Sequence, residues 1–258
     1  MGSYDYLSWS LEDGVATVTM NRPPVNAVDQ QMYRELTAAF APDGPVARSA
    51  KAIVLTGASR HFCAGNDLGE FATLTPDNSD SRMAEVRGAF FAIQDCPVPV
   101  IGAVRGAALG TGLAIAASCD FVIAAEGARF GTPEVGVGVM GGARHLARLV
   151  PEPWVRWMYL TAEPVTAEQL HRLGSLIAVA PDAELLGTAR AHARLVSRHS
   201  GVILRMAKQA LNGIEAMDLQ SGYVFEQGLT RELSGTPDSA EARAATLERR
   251  DPSYPSEL

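Results

Sequence analysis

The sequence has no surplus of positive charge. Its 258 residues carry 22 Lys and Arg against 29 Asp and Glu, a net charge of −7. A general nucleic-acid surface needs clustered Lys and Arg and is not expected; an anionic small ligand held by a few local cations remains open. Cysteine is scarce. Cys63, Cys96 and Cys119 are scattered, odd in number and form no CxxC pair, so reduced thiols are expected rather than disulfides or a metal site. No basic segment followed by an apolar run opens the chain, and Tyr6 stands where a myristoylation signal carries Ser or Thr. The longest apolar stretch, about residues 107–117, is too short and too rich in Gly and Ala to cross a bilayer. The Gly-rich run at 106–112 has neither GxGxxG spacing nor a following Lys-Ser/Thr, which argues against a dinucleotide or P-loop site. These absences leave a cytoplasmic enzyme or binding protein without a membrane partner.

What is present is an ordinary core: 47% hydrophobic and 20% charged residues, enough for one large domain or one domain with a helical appendage. β-formers at 4–10 and 14–20 flank Glu12-Asp13-Gly14 and read as a hairpin. Asp29 caps a helix carrying Met32, Leu36, Ala39 and Phe40 on one face. Apolar runs at 52–56, 98–104 and 119–124 read as buried strands. Residues 69–81, with Pro76, Asp77 and Asn78, read as a surface loop before a helix at about 82–94. From about residue 153 helical patterns dominate, the last over 238–249 with Asp238 and Glu241 as a capping box. Strands alternating with helices, then a helical layer, make an α/β body.

Three segments carry chemistry. HFCAGNDL at 61–68 and LGTG at 109–112 are small-residue turns, each leaving a strand. Glycines let a backbone approach a ligand and free its N–H groups, and the second turn also opens a helix. Facing each other, the turns would give one oxygen two backbone donors, which suits an enolate or a tetrahedral oxyanion; alternatively the glycines serve only tight packing. In FGTPEVG at 130–136, Glu134 stands among Pro, Val and Gly. Burial there would raise its pKa toward that of a general acid or base; a plain surface Glu is the other reading.

Together with their order and spacing, NRPPVNAVD (21–29), FCAGNDL (62–68), ALGTGLAIAASCD (108–120), ARFGTPEVGVG (128–138) and LTAEPVTAEQLHRLGSLIAVAP (160–181) resemble the crotonase, or enoyl-CoA hydratase/isomerase, family. The tail at 238–254 is similar to the family's last helix. The resemblance implies a spiral of ββα units with a helical C-terminal region, divided here at 1–195 and 196–258. It implies a homotrimer or dimer of trimers and an acyl-CoA substrate, with coenzyme A entering as part of that substrate and no separate cofactor or metal. It implies that the N–H groups of Asn66 and Thr111 hold the thioester oxygen. It places substrate contacts at Arg22, Ala64, Gly65, Asp67, Leu68, Gly110, Ala114, Pro133, Met140 and Gly141. Arg22, Arg60 and Lys208 become candidates for the CoA phosphates.

The chain departs from the family's hydratases at one position. Those enzymes carry two glutamates; here the first position is Ala114 and only the second, Glu134, is acidic. One carboxylate resembles the family's isomerases, in which a single Glu moves a proton from C2 to C4. The loop from Val139 to Leu146 is also shorter than in the family. Thioester hydrolysis, decarboxylation, C–C cleavage and non-catalytic acyl-CoA binding therefore stay as alternatives. His145, Asp67 and Asp120 read as structural, and Trp154 with Trp157 as packing residues.

Overall fold

The computed structural model describes residues 4–256; residues 1–3, part of the opening segment read above, lie outside the described residues. The hairpin forms from β1 (Leu7–Glu12) and β2 (Val15–Met20). Asp13 and Gly14 between them both adopt positive φ, as a two-residue hairpin turn requires. Asp29 caps α1 (Gln30–Phe40), its carboxylate accepting the Met32 N–H at 2.8 Å. A short α2 (Pro45–Ser49) leads to β3 (Ala52–Gly57), all six residues of which are buried. A strand covered on both faces shows no polar alternation, hence its continuous apolar run.

The loop expected over 69–81 is mostly helical. α3 (Leu68–Phe71) is followed by α4 (Pro76–Gln94). Pro76 occupies the first helical turn, where its missing N–H costs nothing, and the Asn78 side chain accepts the Thr75 N–H at 2.9 Å. The Pro-Asp-Asn run is thus a helix start rather than a turn.

Two consecutive ββα units follow. β4 (Val100–Val104), β5 (Ala107–Leu109) and α5 (Thr111–Ser118) make one; β6 (Phe121–Ala125), β7 (Arg129–Gly131) and α6 (Glu134–Val137) make the next. In each, the first strand joins a large sheet and the second a small one. After α7 (Ala143–Leu149) and α8 (Glu152–Thr161) come β8 (Val165–Thr166), α9 (Ala167–Arg172) and β9 (Ala178–Ala180). The large sheet runs β1-β2-β3-β4-β6-β9, parallel except for its first pair, and the small one β5-β7-β8. This is the α/β spiral expected from the resemblance.

The chain ends in α10 (Leu185–Ser197), α11 (Gly201–Ile214), α12 (Leu219–Ser234) and α13 (Pro237–Glu248). The main core includes Met32, Leu36, Phe40, Phe62 and Phe130. The opposite face of the large sheet is covered by Leu185, Ala189 and Ala193 of α10, against Val54, Ile101 and Ile123. The expected Asp238–Glu241 capping box does not form. Thr236 caps α13, its hydroxyl accepting the Ser239 N–H, with Pro237 in the first turn. Asp238 instead accepts from Ser200 and Ser256, and Glu241 pairs with Arg250. Among the described residues no helix is long and apolar enough to cross a membrane.

Lys208 is not available to a phosphate. It is 3% exposed, and its ammonium lies 2.8 Å from Asp120 Oδ2 while donating to the carbonyls of Val98 and Ile93 at 3.2 and 3.4 Å. Asp120 in turn accepts the Val100 N–H at 2.6 Å. The pair ties α11 to the strand starts, and Asp120 is structural, as expected. Lys208→Met keeps the aliphatic stem but strands a carboxylate and two carbonyls. It should lower unfolding stability by about 3 kcal/mol, toward the low end for a broken ion pair because solvent still reaches Asp120. Denaturant titration checks this, with CoA-ester affinity expected to stay unchanged.

Candidate active site

The two glycine turns are stitched together by their backbones. Cys63 N–H donates to the Ala107 carbonyl, and Leu109 N–H donates to the Cys63 carbonyl, both at 3.0 Å, making a parallel bridge between Cys63 and Ala108. The approach depends on Gly112: a Cβ there would stand 2.1 Å from the Cys63 carbonyl oxygen. The first turn is also tied to the segment after the hairpin. Ala64 N–H donates to Val25, Val28 N–H to Gly65 and Asp67 N–H to Val28. In the second turn Gly110 N–H donates to Gly131 at 2.9 Å, and Ala114 N–H to Gly110 at 3.0 Å.

Some amides of the two turns stay out of this web, among them those of Gly65, Asn66, Thr111 and Gly112. Among the described residues neither the Asn66 N–H nor the Thr111 N–H has a protein acceptor. Thr111 is the first residue of α5, so its N–H has no intrahelical partner and lies at the positive end of the helix.

Both residues line one cavity of about 800 Å³, a size typical of a small-molecule site. Its wall takes in nearly every position named from the sequence: Ala64, Gly65, Asn66, Asp67 and Leu68 on one side, Gly110, Thr111 and Ala114 on another, Pro133, Glu134, Met140 and Gly141 on a third. Leu68 and Met140 are well exposed and form its rim. Between them Phe71, Leu74, Met83, Val86 and Phe90 supply an apolar surface from α3, α4 and the short link between them.

Glu134 is 8% exposed and its Oε2 has no hydrogen-bond partner. Burial holds its carboxyl above the usual carboxylate range, opposed only by its own backbone N–H. Gly110 and Gly142 leave it room: a Cβ on either would lie 3.6 and 2.9 Å from Glu134 Oε1. Ala114, on the first turn of α5, presents only a methyl group to the cavity.

Arg22 does not line the cavity. Its guanidinium bridges Asp29 at 3.0 Å and Asp67 at 2.9 Å, donates to the Ala27 carbonyl, and lies over the Tyr6 ring. Asp67 also caps α3 by accepting the Glu70 N–H, and these hydrogen bonds hold its carboxyl below the usual range. Arg60 is exposed and donates to His61 Nε2. His145 lies on α7 with its ring edge-on to Phe90 at 4.9 Å, one ring behind the cavity wall. Trp154 and Trp157 pack edge to face at 5.7 Å.

Sequence reading missed Tyr33. It is buried on α1, and its hydroxyl contacts both Asn66 Oδ1 and Thr111 Oγ1, the latter at 2.9 Å. Thr111 Oγ1 also donates to Asn66 Oδ1 at 3.0 Å. The available signal was a tyrosine beside Met32, three residues before Leu36, on the core face of a helix. A buried phenol needs a polar partner, and that partner had to come from elsewhere in the chain.

The family described as enoyl-CoA hydratase/isomerase matches residues 10–257. A relative in Rhodococcus jostii is 38% identical, covers 93% of each chain, and is named (7aS)-7a-methyl-1,5-dioxo-2,3,5,6,7,7a-hexahydro-1H-indene-carboxyl-CoA hydrolase. The 2,3-dehydroadipyl-CoA hydratase of Escherichia coli is 36% identical over 95% of this chain and 96% of its own. Among solved structures, Pseudomonas aeruginosa DspI superposes with a TM-score of 0.92 at 30% identity, covering 98% of both chains. An enoyl-CoA hydratase of Mycobacterium smegmatis gives 0.91 at 29%, covering 97% of this chain and 99% of its own.

Proposed function

Because the chain belongs to the enoyl-CoA hydratase/isomerase family, we propose that it takes an acyl-CoA thioester and shifts a double bond, with Glu134 as the only acid/base group. In this reading the thioester oxygen accepts from the N–H groups of Asn66 and Thr111. Glu134 removes a proton from C2 of a 3-enoyl group, and the negative charge moves onto the thioester oxygen as an enolate. The protonated Glu134 then returns the proton at C4. The double bond moves from C3–C4 to C2–C3, and the carboxylate is regenerated with no other reactant consumed. Coenzyme A enters as part of the substrate, and the reaction calls on no separate cofactor or metal.

One observation carries this reading: among the described residues a single buried carboxylate faces the cavity, and the wall beside it includes Ala114. Hydration needs a water held and deprotonated, then a proton delivered, work for which two carboxylates are better suited than one. Purified protein given 3-hexenoyl-CoA should release the 2-enoyl ester, seen by its conjugated absorbance. Ala114→Glu should raise hydration of 2-hexenoyl-CoA at least tenfold over the parent, within the range one acid/base group supplies. Absence of isomerisation together with fast hydration by the parent would overturn the single-carboxylate reading.

A second reading is hydrolysis, with Glu134 activating water at a carbonyl. It is favoured by the Rhodococcus relative, which is named as a hydrolase. Mass spectrometry of the products from a panel of acyl-CoA esters separates the two. We further propose that the spiral of residues 1–195 carries the chemistry. The helices of 196–258 would serve assembly as a trimer or dimer of trimers in the cytoplasm, the exposed Leu219, Tyr223 and Val224 of α12 supporting an assembly role.

A further inference from the structure

We propose that Tyr33 is a positioning residue, whose hydroxyl sets the distance between the two turns that present the Asn66 and Thr111 amides. The inference rests on the reading of those amides as the oxygen-binding pair. Each turn passes through a glycine of positive φ, Gly65 in the first and Gly110 in the second. The backbone bridge between the turns lies at Cys63 and Ala108, behind the amides. In front of that bridge, the link between Asn66 and Thr111 runs through side chains. Three oxygens meet there, Asn66 Oδ1, Thr111 Oγ1 and the Tyr33 hydroxyl; the two hydroxyl hydrogens make two hydrogen bonds among them, with Asn66 Oδ1 only accepting.

A buried phenol satisfied merely for its own sake needs one partner. Tyr33 has two within contact, 33 and 78 residues away, and they are the two residues whose N–H groups the proposed function assigns to the thioester oxygen. Its own position is fixed from a third element. Tyr33 sits in the body of α1, its ring edge-on to Phe90 of α4 at 6.2 Å. α1 is anchored at its capped start by Asp29. The hydroxyl therefore stands on a rigid helix and reaches across to both turns, the arrangement that holds an oxygen-binding pair preorganised.

Tyr33→Phe removes one oxygen and keeps the ring. Three readouts are compared. The first is kcat and KM for 3-hexenoyl-CoA. The second is the carbonyl stretch of bound [1-13C]hexanoyl-CoA, which has no double bond to shift and reports the hydrogen bonds on the thioester oxygen. The third is thermal unfolding. The expected result is a kcat about ten- to a hundredfold lower, less than the ~10²–10³ that follows loss of a donor outright. KM should change less than twofold, and the carbonyl stretch should move back toward its value in water. Thr111→Val, which removes the other hydroxyl, should move the stretch the same way and serves if Tyr33→Phe fails to fold. If the parent shifts the carbonyl stretch and both variants keep that shift and the parent kcat, Tyr33 only fills the core and the inference is overturned. If the parent itself leaves the stretch unshifted, the amide pair is not where the thioester oxygen binds, and the proposed function falls with it.

Discussion

Glu134→Gln is expected to lower kcat by about 10²–10⁴-fold, the usual contribution of a positioned acid/base group, and at the same time to make the protein more resistant to heat at neutral pH. The first effect follows from there being no second buried carboxylate in the wall among the described residues: Ala114 cannot share the proton, and Asp67 is engaged with Arg22 and the Glu70 N–H. The second follows from burial. The folded-state pKa of Glu134 is raised above the ordinary value of about 4.3, and desolvation is the cause. A carboxyl with a raised folded pKa favours the fold while both states are protonated, below the unfolded value. That advantage is lost as pH rises through the folded value, where an ionised group must be kept in a dry place. Gln has the same shape and never ionises, so the variant escapes this loss. Activity runs the other way. The base must be ionised to take the C2 proton, so kcat/KM of the parent should rise with pH through an apparent pKa above the usual carboxylate range. A variant that is inactive yet melts no lower than the parent at pH 7, and no higher at pH 4, separates lost chemistry from lost structure. Retained isomerase activity in Glu134→Gln would remove Glu134 from the mechanism.

The legible and illegible parts of this site differ in range. The strand β3, the Asp29 cap, both glycine turns and the Pro before Glu134 are written within a few residues, because a buried strand, a cap or a tight turn is decided by its own sequence. The start of α4 was also local but ambiguous: Pro-Asp-Asn fits a turn as well as a first helical turn, and only the Asn78 bond to Thr75 decides it. Lys208 reads as a free cation because its partner Asp120 lies 88 residues away, whereas Arg22 has one partner, Asp29, close in the chain and a second, Asp67, 45 residues on. Tyr33 was hidden for the same reason as Lys208. Position along one helix face shows that a side chain is buried, whereas the identity of what its hydroxyl touches is set by how the spiral brings three separate segments together. Spacing therefore shows which residues carry the chemistry more readily than which residues hold them in place.

Gly112→Ala should cost about as much activity as removing a hydrogen-bond donor, roughly 10²–10³ in kcat, without touching a titratable group. The added methyl would meet the Cys63 carbonyl oxygen at 2.1 Å and the Cys63 Cβ at 2.9 Å. The oxygen is a backbone atom and cannot swing aside, so the turns must part by about 1 Å, a misplacement of the kind that costs on the order of 10² in rate. The Leu109 N–H to Cys63 bond, 3.0 Å in the parent, lies on the same seam and would lengthen. Overpacking should also lower stability by about 1–3 kcal/mol. Gly187→Ala is the control. That glycine lies on an exposed turn of α10 with nothing near its added Cβ, and replacing it should leave kcat unchanged and stabilise slightly by narrowing the unfolded ensemble. Steady-state kinetics with thermal unfolding reads both. The control is as important as the variant, since a loss shared by both would report a general intolerance of added methyl groups. Parent-like turnover in Gly112→Ala would mean that the closeness of the two turns is a packing feature, with no bearing on the oxygen they are proposed to hold.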